Sequence, residues 1–131
     1  MVRARVVLAD DHQDFLAATA RFLEPEFDVV ETVGNGQALV EESPRLDPDL
    51  LVVDIAMPIL NGIEAARRLT AAGSRAKIVF LTAHADEDYV RAAQAAGGSG
   101  YVVKSRLATD LPLAMREALA GRFFVSPSSS G

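Results

Sequence analysis

Short runs of hydrophobic residues alternate along the chain with segments in which hydrophobic and polar residues recur at helical spacing. The runs are four to seven residues long and rich in valine, leucine and isoleucine, which is typical of strands buried on both faces. We predict five strands, at residues 6–9, 27–33, 49–54, 77–81 and 100–103. With a helix after each strand, the pattern predicts an α/β fold in which a doubly wound, five-stranded parallel sheet has helices on both faces.

Prolines set the expected ends of the first two helices. The first helix has one apolar stripe, formed by Phe15, Ala18, Phe22 and Leu23. It should stop near Pro25. The second helix follows the turn Gly34-Asn35-Gly36 and should end before Pro44, because a proline inside a helix removes a hydrogen bond and crowds the preceding turn.

Capping residues delimit the later helices. Asn61 and Asp86 are expected N-caps, and Gly73 is an expected C-terminal stop. Thr109 is expected to cap the last helix, with Pro112 in the first turn, where no amide hydrogen is needed. The core face of this helix is predicted to consist of Leu111, Ala114, Met115 and Ala118.

The composition is that of an ordinary globular protein. Of 131 residues, 50% are hydrophobic and 24% are charged, enough for one domain with its own core. No apolar run approaches the roughly 20 residues of a membrane-spanning helix, so we expect no membrane contact and a cytoplasmic location, with which the lack of cysteine agrees. A net charge of −5 argues against nucleic-acid binding by this segment. We expect a domain at residues 1–121 and a tail or the start of a linker at residues 122–131.

Reactive or charged residues follow four of the five predicted strands. Asp10 and Asp11 come after the first strand, Asp54 ends the third, Thr82 follows the fourth and Lys104 follows the fifth. Because parallel strands present their carboxyl ends at one edge of the sheet, we expect these side chains to lie close together.

The chemistry of this group indicates a metal-assisted phosphoryl site. Two unit charges about 4 Å apart repel by roughly 4 kcal/mol at an effective dielectric constant of about 20, so three clustered carboxylates require a cation. Oxygen ligands without histidine or cysteine suit Mg²⁺, which shares its coordination sphere with phosphate oxygens. A lysine and a threonine can then hold phosphoryl oxygens. One carboxylate remains as a nucleophile.

The order of these motifs resembles that of the receiver domain of a two-component response regulator, from residue 6 to about residue 121. The matching features are the acidic pair, Asp54 with Met57-Pro58 after it, Leu81-Thr82, and Tyr101 shortly before Lys104. Residues 8–12, 35–38 and 125–127 further resemble the NarL/FixJ class. Members of this class usually carry a helix-turn-helix output domain after the receiver. We expect the chain to be the receiver part of such a regulator, and a stand-alone receiver is the alternative.

The resemblance implies a role for each acidic residue. Asp54 is the phosphoacceptor. Asp11, Asp54 and the backbone carbonyl of Ala56 hold Mg²⁺, and Asp10 supports the waters of the metal. Ala56 departs from the many members that have a polar side chain at this position, which bears on how fast the acyl phosphate hydrolyses.

The resemblance also implies a switch and its partners. Thr82 and Lys104 take phosphoryl oxygens, and Tyr101 is the switch aromatic, which turns when Thr82 is drawn toward the phosphate. The implied strand order is 2-1-3-4-5. The implied partners are a sensor histidine kinase or phosphotransfer protein, a second copy on phosphorylation, and DNA only through an output domain. We expect readout on the face of helix 86–96, the Tyr101 strand and helix 111–120.

The sequence fits two other classes of protein less well than a regulatory receiver. A phosphatase with an aspartyl-phosphate intermediate usually has its nucleophile on the first strand in an Asp-x-Asp pattern, whereas Asp10 and Asp11 are adjacent here. A pseudo-receiver that only binds protein would not need the intact Asp54, Thr82 and Lys104.

Three motifs outside this group have simpler interpretations. The turn Gly34-Asn35-Gly36 imitates a dinucleotide-binding fingerprint but follows the second strand rather than the first. His12 is interpreted as a helix-start residue and His84 as a loop residue, rather than as phosphorelay histidines.

Overall fold

The computed structural model describes residues 2–83 and 86–127. Strands and helices alternate through these residues, as β1 Arg5–Ala9, α1 Gln13–Leu23, β2 Asp28–Val33, α2 Gly36–Leu46, β3 Leu50–Asp54, α3 Gly62–Ala71, β4 Lys77–Thr82, α4 Glu87–Ala95, β5 Gly100–Val103, α5 Leu107–Leu119 and β6 Phe124–Val125. A 3₁₀ turn, Lys104–Arg106, joins β5 directly to α5. His84, expected to be a loop residue, lies outside the described residues.

All the strands pair in parallel, in the order β2-β1-β3-β4-β5-β6. The predicted α/β fold and the strand order 2-1-3-4-5 are confirmed. The predicted number of strands was one too low among the described residues, because Phe124 and Val125 of the expected tail pair with Gly100 and Tyr101 of β5. A two-residue strand has no hydrophobic period that a sequence pattern could detect.

Each face of the sheet packs against its own set of helices. On one face, strand residues contact Leu39 of α2, Ile63 and Leu69 of α3, and Ala93 of α4. The other face is covered by residues of α1 and α5, among them Leu16, Leu23, Leu111 and Met115. The strands β1, β3, β4 and β5 are almost entirely buried between these layers, which explains why they are hydrophobic without alternation, whereas β2 is partly exposed. Helices therefore pack against both faces of the sheet, and the strand ends at its carboxyl edge keep fixed positions relative to one another.

The predicted stripe of α1 was wrong in two of its four residues. The buried residues of this helix are Leu16, Thr19 and Leu23, whereas Ala18 is exposed and Phe22 is 42% exposed. Leu16 and Leu23 are two turns apart, so the buried stripe is rotated from the predicted one, with Thr19 in place of a hydrophobic residue. The expected stop near Pro25 agrees with the end of α1 at Leu23.

The prediction that α2 ends before Pro44 was also wrong. The helix continues to Leu46, and the amide of Asp47 donates to the carbonyl of Ser43 at 3.1 Å. Proline removes its own amide from the helical hydrogen bonds and crowds the preceding turn, but the residues after it still find partners. Pro44 lies at the exposed end of the helix, where this loss is tolerated.

Helix α5 begins two residues earlier than Thr109, which therefore does not cap it. The 3₁₀ turn leads directly into Leu107, and the Thr109 hydroxyl donates to the Arg106 carbonyl at 3.3 Å. Pro112 consequently lies in the second turn rather than the first. The predicted core face is confirmed, because its four residues are fully buried: Leu111, Ala114, Met115 and Ala118.

The other expected caps are confirmed. Asn61 accepts a hydrogen bond from the amide of Glu64 at 2.9 Å, and Asp86 accepts one from the amide of Asp88 at 2.8 Å. Gly73 has a φ of +92°, and its amide donates to the Thr70 carbonyl. This left-handed residue ends α3 in the geometry that glycine adopts most readily.

Candidate functional site

The register of β1 and β3 brings two carboxylates to the same level of the sheet. Ala9 of β1 pairs with Val53 of β3, and Asp10 and Asp54 are the residues that come directly after this pair. Both are buried, at 1% and 3% exposure. Parallel pairing thus confirms that the strand ends carrying the acidic residues meet at one edge.

The next two strands bring the threonine and the lysine to this edge. Asp54 pairs with Leu81, and Thr82 pairs with Val103. Thr82 therefore follows the partner of Asp54, and Lys104 follows the partner of Thr82. Adjacent strands lie about 4.8 Å apart, so the four strand ends form one row.

Lys104 is the centre of the polar contacts in this row. Its ammonium lies 2.7 Å from Asp10 Oδ2 and 3.5 Å from Asp54 Oδ2. It also lies 4.5 Å from the centroid of the Phe15 ring. One cation thus contacts both buried carboxylates, and an aromatic face supports it, a contact typically worth about 1 kcal/mol.

The carboxyl group of Asp54 is hard to ionise. Burial raises its pKa to about 6, and the charges of Asp10 and Asp11 contribute to the rise. The charge of Lys104 and a hydrogen bond from the Ala56 backbone act in the opposite direction. Near neutral pH Asp54 is therefore mostly a carboxylate, yet one whose charge a further cation would stabilise.

Asp11 and His12 form the open side of the site. Each of Asp10, Asp11 and His12 offers one possible ligand atom, and these three atoms all lie within 4.8 Å of one another. The His12 amide donates to Asp10 Oδ1 at 2.9 Å, and its Nδ1 lies 3.2 Å from Asp11 Oδ1. The expectation that His12 is a helix-start residue agrees with its place as the N-cap residue of α1, where its side chain makes no capping hydrogen bond.

The donor set fits Mg²⁺. Asp10, Asp11 and Asp54 supply carboxylate oxygens: Asp10 shares the Lys104 ammonium with Asp54, and its ligand atom lies within 4.8 Å of that of Asp11. A hard cation that prefers carboxylates, a backbone carbonyl and water suits this group. These residues could hold the ion together with the Ala56 carbonyl.

The loop after β3 packs closely against Asp54. A Cβ added at Gly62 would lie 2.2 Å from the Asp54 carbonyl oxygen, so only glycine fits at this position without a shift. The Gly62 amide donates to the Ile55 carbonyl at 2.9 Å, which closes the loop over the end of the strand. The start of α3 is thereby fixed relative to the phosphoacceptor candidate.

Tyr101 is fully buried next to Thr82. Burial raises the pKa of the Tyr101 phenol, and a hydrogen bond with the Thr82 side chain lowers it in part. The predicted switch residue and the predicted phosphoryl-binding hydroxyl are therefore in direct contact.

The sequence pattern did not identify two groups of residues near the site. Phe15 was assigned to the apolar stripe of α1, and the position of its ring under Lys104 depends on where a long flexible side chain ends. The second group is Ser126 with Asp110 and Arg106, which bond to one another beside β5. Ser126 lies in the expected tail, and the only available signal was its place within residues 125–127.

The fold and the site define a flavodoxin-like α/β domain with an acidic, lysine-containing site at the carboxyl edge of its sheet. The chain matches the response regulator receiver domain over residues 6–116 and belongs to that family. Receiver domains generally use Mg²⁺ in an acidic pocket and act as phosphoacceptors in two-component systems.

Individual relatives place the chain in the NarL-like class. It is 36% identical to the transcriptional regulatory protein DegU of Brevibacillus brevis over 95% of this chain and 54% of DegU. It is 31% identical to the nitrate/nitrite response regulator NarL of Escherichia coli K12 over 94% of this chain and 58% of NarL. The chain thus spans little more than half the length of these relatives.

A solved structure supports the same assignment. A LuxR-family two-component response regulator from Aurantimonas sp. SI85-9A1 superposes with a TM-score of 0.91 at 33% identity, covering 96% of this chain and 91% of that chain. Among the described residues, no helix is long and apolar enough to cross a membrane.

Proposed function

We propose that Asp54 accepts a phosphoryl group from a sensor histidine kinase or a phosphotransfer protein, with Mg²⁺ held by Asp11, Asp54 and the Ala56 carbonyl and supported by Asp10. The observation that carries this proposal is the contact of the Lys104 ammonium with both Asp10 and Asp54. The Lys104 ammonium is close enough to Asp54 to contact the phosphoryl oxygens once Asp54 is phosphorylated.

The transfer itself is a substitution at phosphorus. A carboxylate oxygen of Asp54 forms the new O–P bond while the P–N bond to the donor imidazole breaks, and the imidazole leaves as a neutral base after taking a proton. When bound, Mg²⁺ supplies positive charge to the phosphoryl oxygens. Lys104 and the Thr82 hydroxyl bind the remaining oxygens.

The switch follows from the contact between Thr82 and Tyr101. When Thr82 turns toward the phosphoryl group, it gives up its hydrogen bond with Tyr101. The movement of Thr82 also leaves space beside the buried Tyr101, and the ring can turn into that space. The change is regulatory: the domain accepts a phosphoryl group and loses it slowly by self-dephosphorylation, without turnover of a separate substrate.

The proposal extends to the whole regulator. Residues 1–121 contain the receiver through its last helix, β6 adds Phe124–Val125 of the segment 122–131 to its sheet, and the linker follows from there. The linker leads to an output domain, which contacts DNA and controls transcription. Phosphorylation promotes homodimer formation. The support comes from DegU, a transcriptional regulatory protein, of which this chain covers 54%.

Intact mass after incubation with Mg²⁺ and acetyl phosphate tests the central step. The wild type should gain one phosphoryl group and Asp54→Asn none, while Asp28→Asn, an exposed aspartate on β2, should behave as the wild type. Equal labelling of Asp54→Asn would rule out the site. Turnover of a phosphomonoester at about 1 s⁻¹ or faster, as in ordinary enzymes, would favour the phosphatase class instead.

A further inference from the structure

Ser126 makes two hydrogen bonds to β5 and one to α5. Its amide donates to the Tyr101 carbonyl at 2.9 Å, its Oγ accepts from the Val103 amide at 3.1 Å, and the same hydroxyl donates to Asp110 Oδ2 at 2.7 Å. The residue is 5% exposed although it is near the end of the described chain. A buried serine whose amide and hydroxyl are both hydrogen-bonded is a fixed point rather than part of a flexible linker.

Asp110 is the second buried member of this cluster. It lies on α5 and accepts a hydrogen bond from Arg106 Nε at 2.8 Å in addition to the one from Ser126. Burial by itself raises the pKa of Asp110, but the hydrogen bonds from Arg106 and Ser126 outweigh it and the pKa is lowered. Asp110 is therefore a carboxylate that depends on both partners.

These contacts hold the residues that come before and after Lys104 in the sequence. Ser126 holds Val103, the residue before Lys104, and Asp110 holds Arg106, the last residue of the 3₁₀ turn that Lys104 begins. The Ser126–Asp110 hydrogen bond joins the two holds. The backbone from which the Lys104 side chain reaches Asp10 and Asp54 is thus fixed by residue 126, ten residues beyond the end of the family match.

We propose that Ser126 and Asp110 are positioning residues for Lys104, and that the segment Phe124 to Ser126 is thereby coupled to the phosphoryl site. The proposal rests on the proposed function of Asp54 and Lys104. Coupling between two sites is reciprocal, so a ligand that draws Lys104 toward Asp54 changes how tightly Ser126 is held, and the reverse. A segment that follows Pro127 is therefore joined to Ser126, the residue that is coupled to the phosphoryl site.

Binding of beryllofluoride, a phosphoryl mimic, separates this role from simple tethering of β6. At saturating Mg²⁺, Ser126→Ala should weaken beryllofluoride binding by about tenfold, within the range typical of coupling between two sites. Mg²⁺ affinity measured alone should stay within about twofold of wild type, because the hydrogen bonds of Ser126 go to Tyr101, Val103 and Asp110 and not to the proposed metal ligands. Ser126→Thr, which keeps the hydroxyl, should restore most of the affinity.

Val125→Ala is the matched control, because it weakens the same strand without touching the hydrogen bonds. It should bind beryllofluoride as the wild type does. Should Ser126→Ala not fold, Asp110→Asn tests the same hold from α5 and should show the same loss. The reverse direction is tested by hydrogen exchange, in which beryllofluoride should change the protection of Val103 and of residues 124–126.

The outcomes separate the two proposals. If the wild type is phosphorylated and Ser126→Ala or Asp110→Asn binds beryllofluoride as tightly as Val125→Ala, the positioning role is overturned while the phosphoacceptor stands. If the wild type gains no phosphoryl group, the proposed function fails, and this inference fails with it.

Discussion

Ionisation of Asp54 sets a pH dependence for the metal-free protein. Its pKa is raised to about 6 in the folded state, mainly by burial, against about 3.9 in an unfolded chain. Between these values the folded state binds more protons than the unfolded state, so the free energy of unfolding falls as pH rises. The group therefore removes about 2–3 kcal/mol of stability once the pH is above both values.

Urea unfolding at several pH values, without divalent ions, measures this effect. The free energy of unfolding of Asp54→Asn minus that of wild type should increase by about 2–3 kcal/mol from pH 4 to pH 7.5, because asparagine carries no charge to bury. Excess Mg²⁺ should reduce the difference. A difference that does not change with pH would show that the burial of Asp54 has no such effect.

Lys104 and Asp11 should separate phosphoryl binding from metal binding. Lys104→Ala should bind Mg²⁺ at least as tightly as wild type, because the substitution removes the ammonium that competes with the metal for Asp10. The same variant should be phosphorylated poorly. Asp11→Ala should weaken Mg²⁺ binding first. Titration calorimetry gives the metal affinity and intact mass gives the labelling; loss of Mg²⁺ binding in Lys104→Ala would contradict this division.

The residues of the site differ in how far sequence predicts them. Asp54 and Thr82 end strands, and Asp10 and Lys104 directly follow strands, so backbone pairing alone brings the four residues together. The ring of Phe15 comes from a helix, and its contact with Lys104 depends on the path of a flexible side chain. Such contacts cannot be predicted from spacing.

At the scale of elements, helix caps were better guides than prolines. Asn61 and Asp86 cap their helices as expected because a capping hydrogen bond is local to a few residues. Pro44 and Pro112 both lie inside helices, because neighbouring amides retain their partners and tertiary packing stabilises the helix as a whole. Thr109 failed as a cap because the 3₁₀ turn, which no pattern indicated, already starts the helix.

The start of α2 provides a test of local packing. A Cβ at Gly36 would lie 2.0 Å from the Leu60 carbonyl oxygen, whereas at Gly34 no atom lies within 4 Å. Gly36→Ala should therefore lower the free energy of unfolding by about 1–3 kcal/mol, as expected for overpacking. Gly34→Ala is the control and should be neutral or slightly stabilising. Urea unfolding compares them, and equal stability would show that the loop at Leu60 yields easily.

At the scale of the whole molecule, two-sided burial of the sheet followed directly from the unbroken hydrophobic runs. The strand order came from the family resemblance and is confirmed. The extent of the sheet did not follow, because Ser126 is held by polar contacts to residues 16 to 25 positions earlier in the chain. Only the folded arrangement of β5 and α5 brings those groups together.

Phosphorylation should be read out on the face of α4, β5 and α5. Helix α4 is weakly anchored: within the helix and its C-cap only Ala93 and Ala96 are buried, and Tyr89 is 48% exposed. An alanine buries little apolar area, at about 25 cal/mol per Å², so the helix shifts at low cost.

Amide hydrogen exchange with and without beryllofluoride, at constant Mg²⁺, tests this expectation. Protection should change in α4, β5 and α5, with little change in α1 and α2. Asp54→Asn, which lacks the acceptor carboxylate, should show no change and serves as the control. A change confined to α1 and α2 would contradict readout on this face.

The pairing of β6 with β5 also bears on self-association. An uncovered strand at the edge of a sheet offers its free amides and carbonyls to strands of other molecules and is a starting point for aggregation. On the far edge, β2 carries Asp28 and Glu31, whose charges oppose such contacts. The β5 edge has hydrophobic side chains, and its protection is Phe124, Val125 and Ser126. A chain shortened to residue 121 would lose that protection and expose a hydrophobic edge to its neighbours in solution.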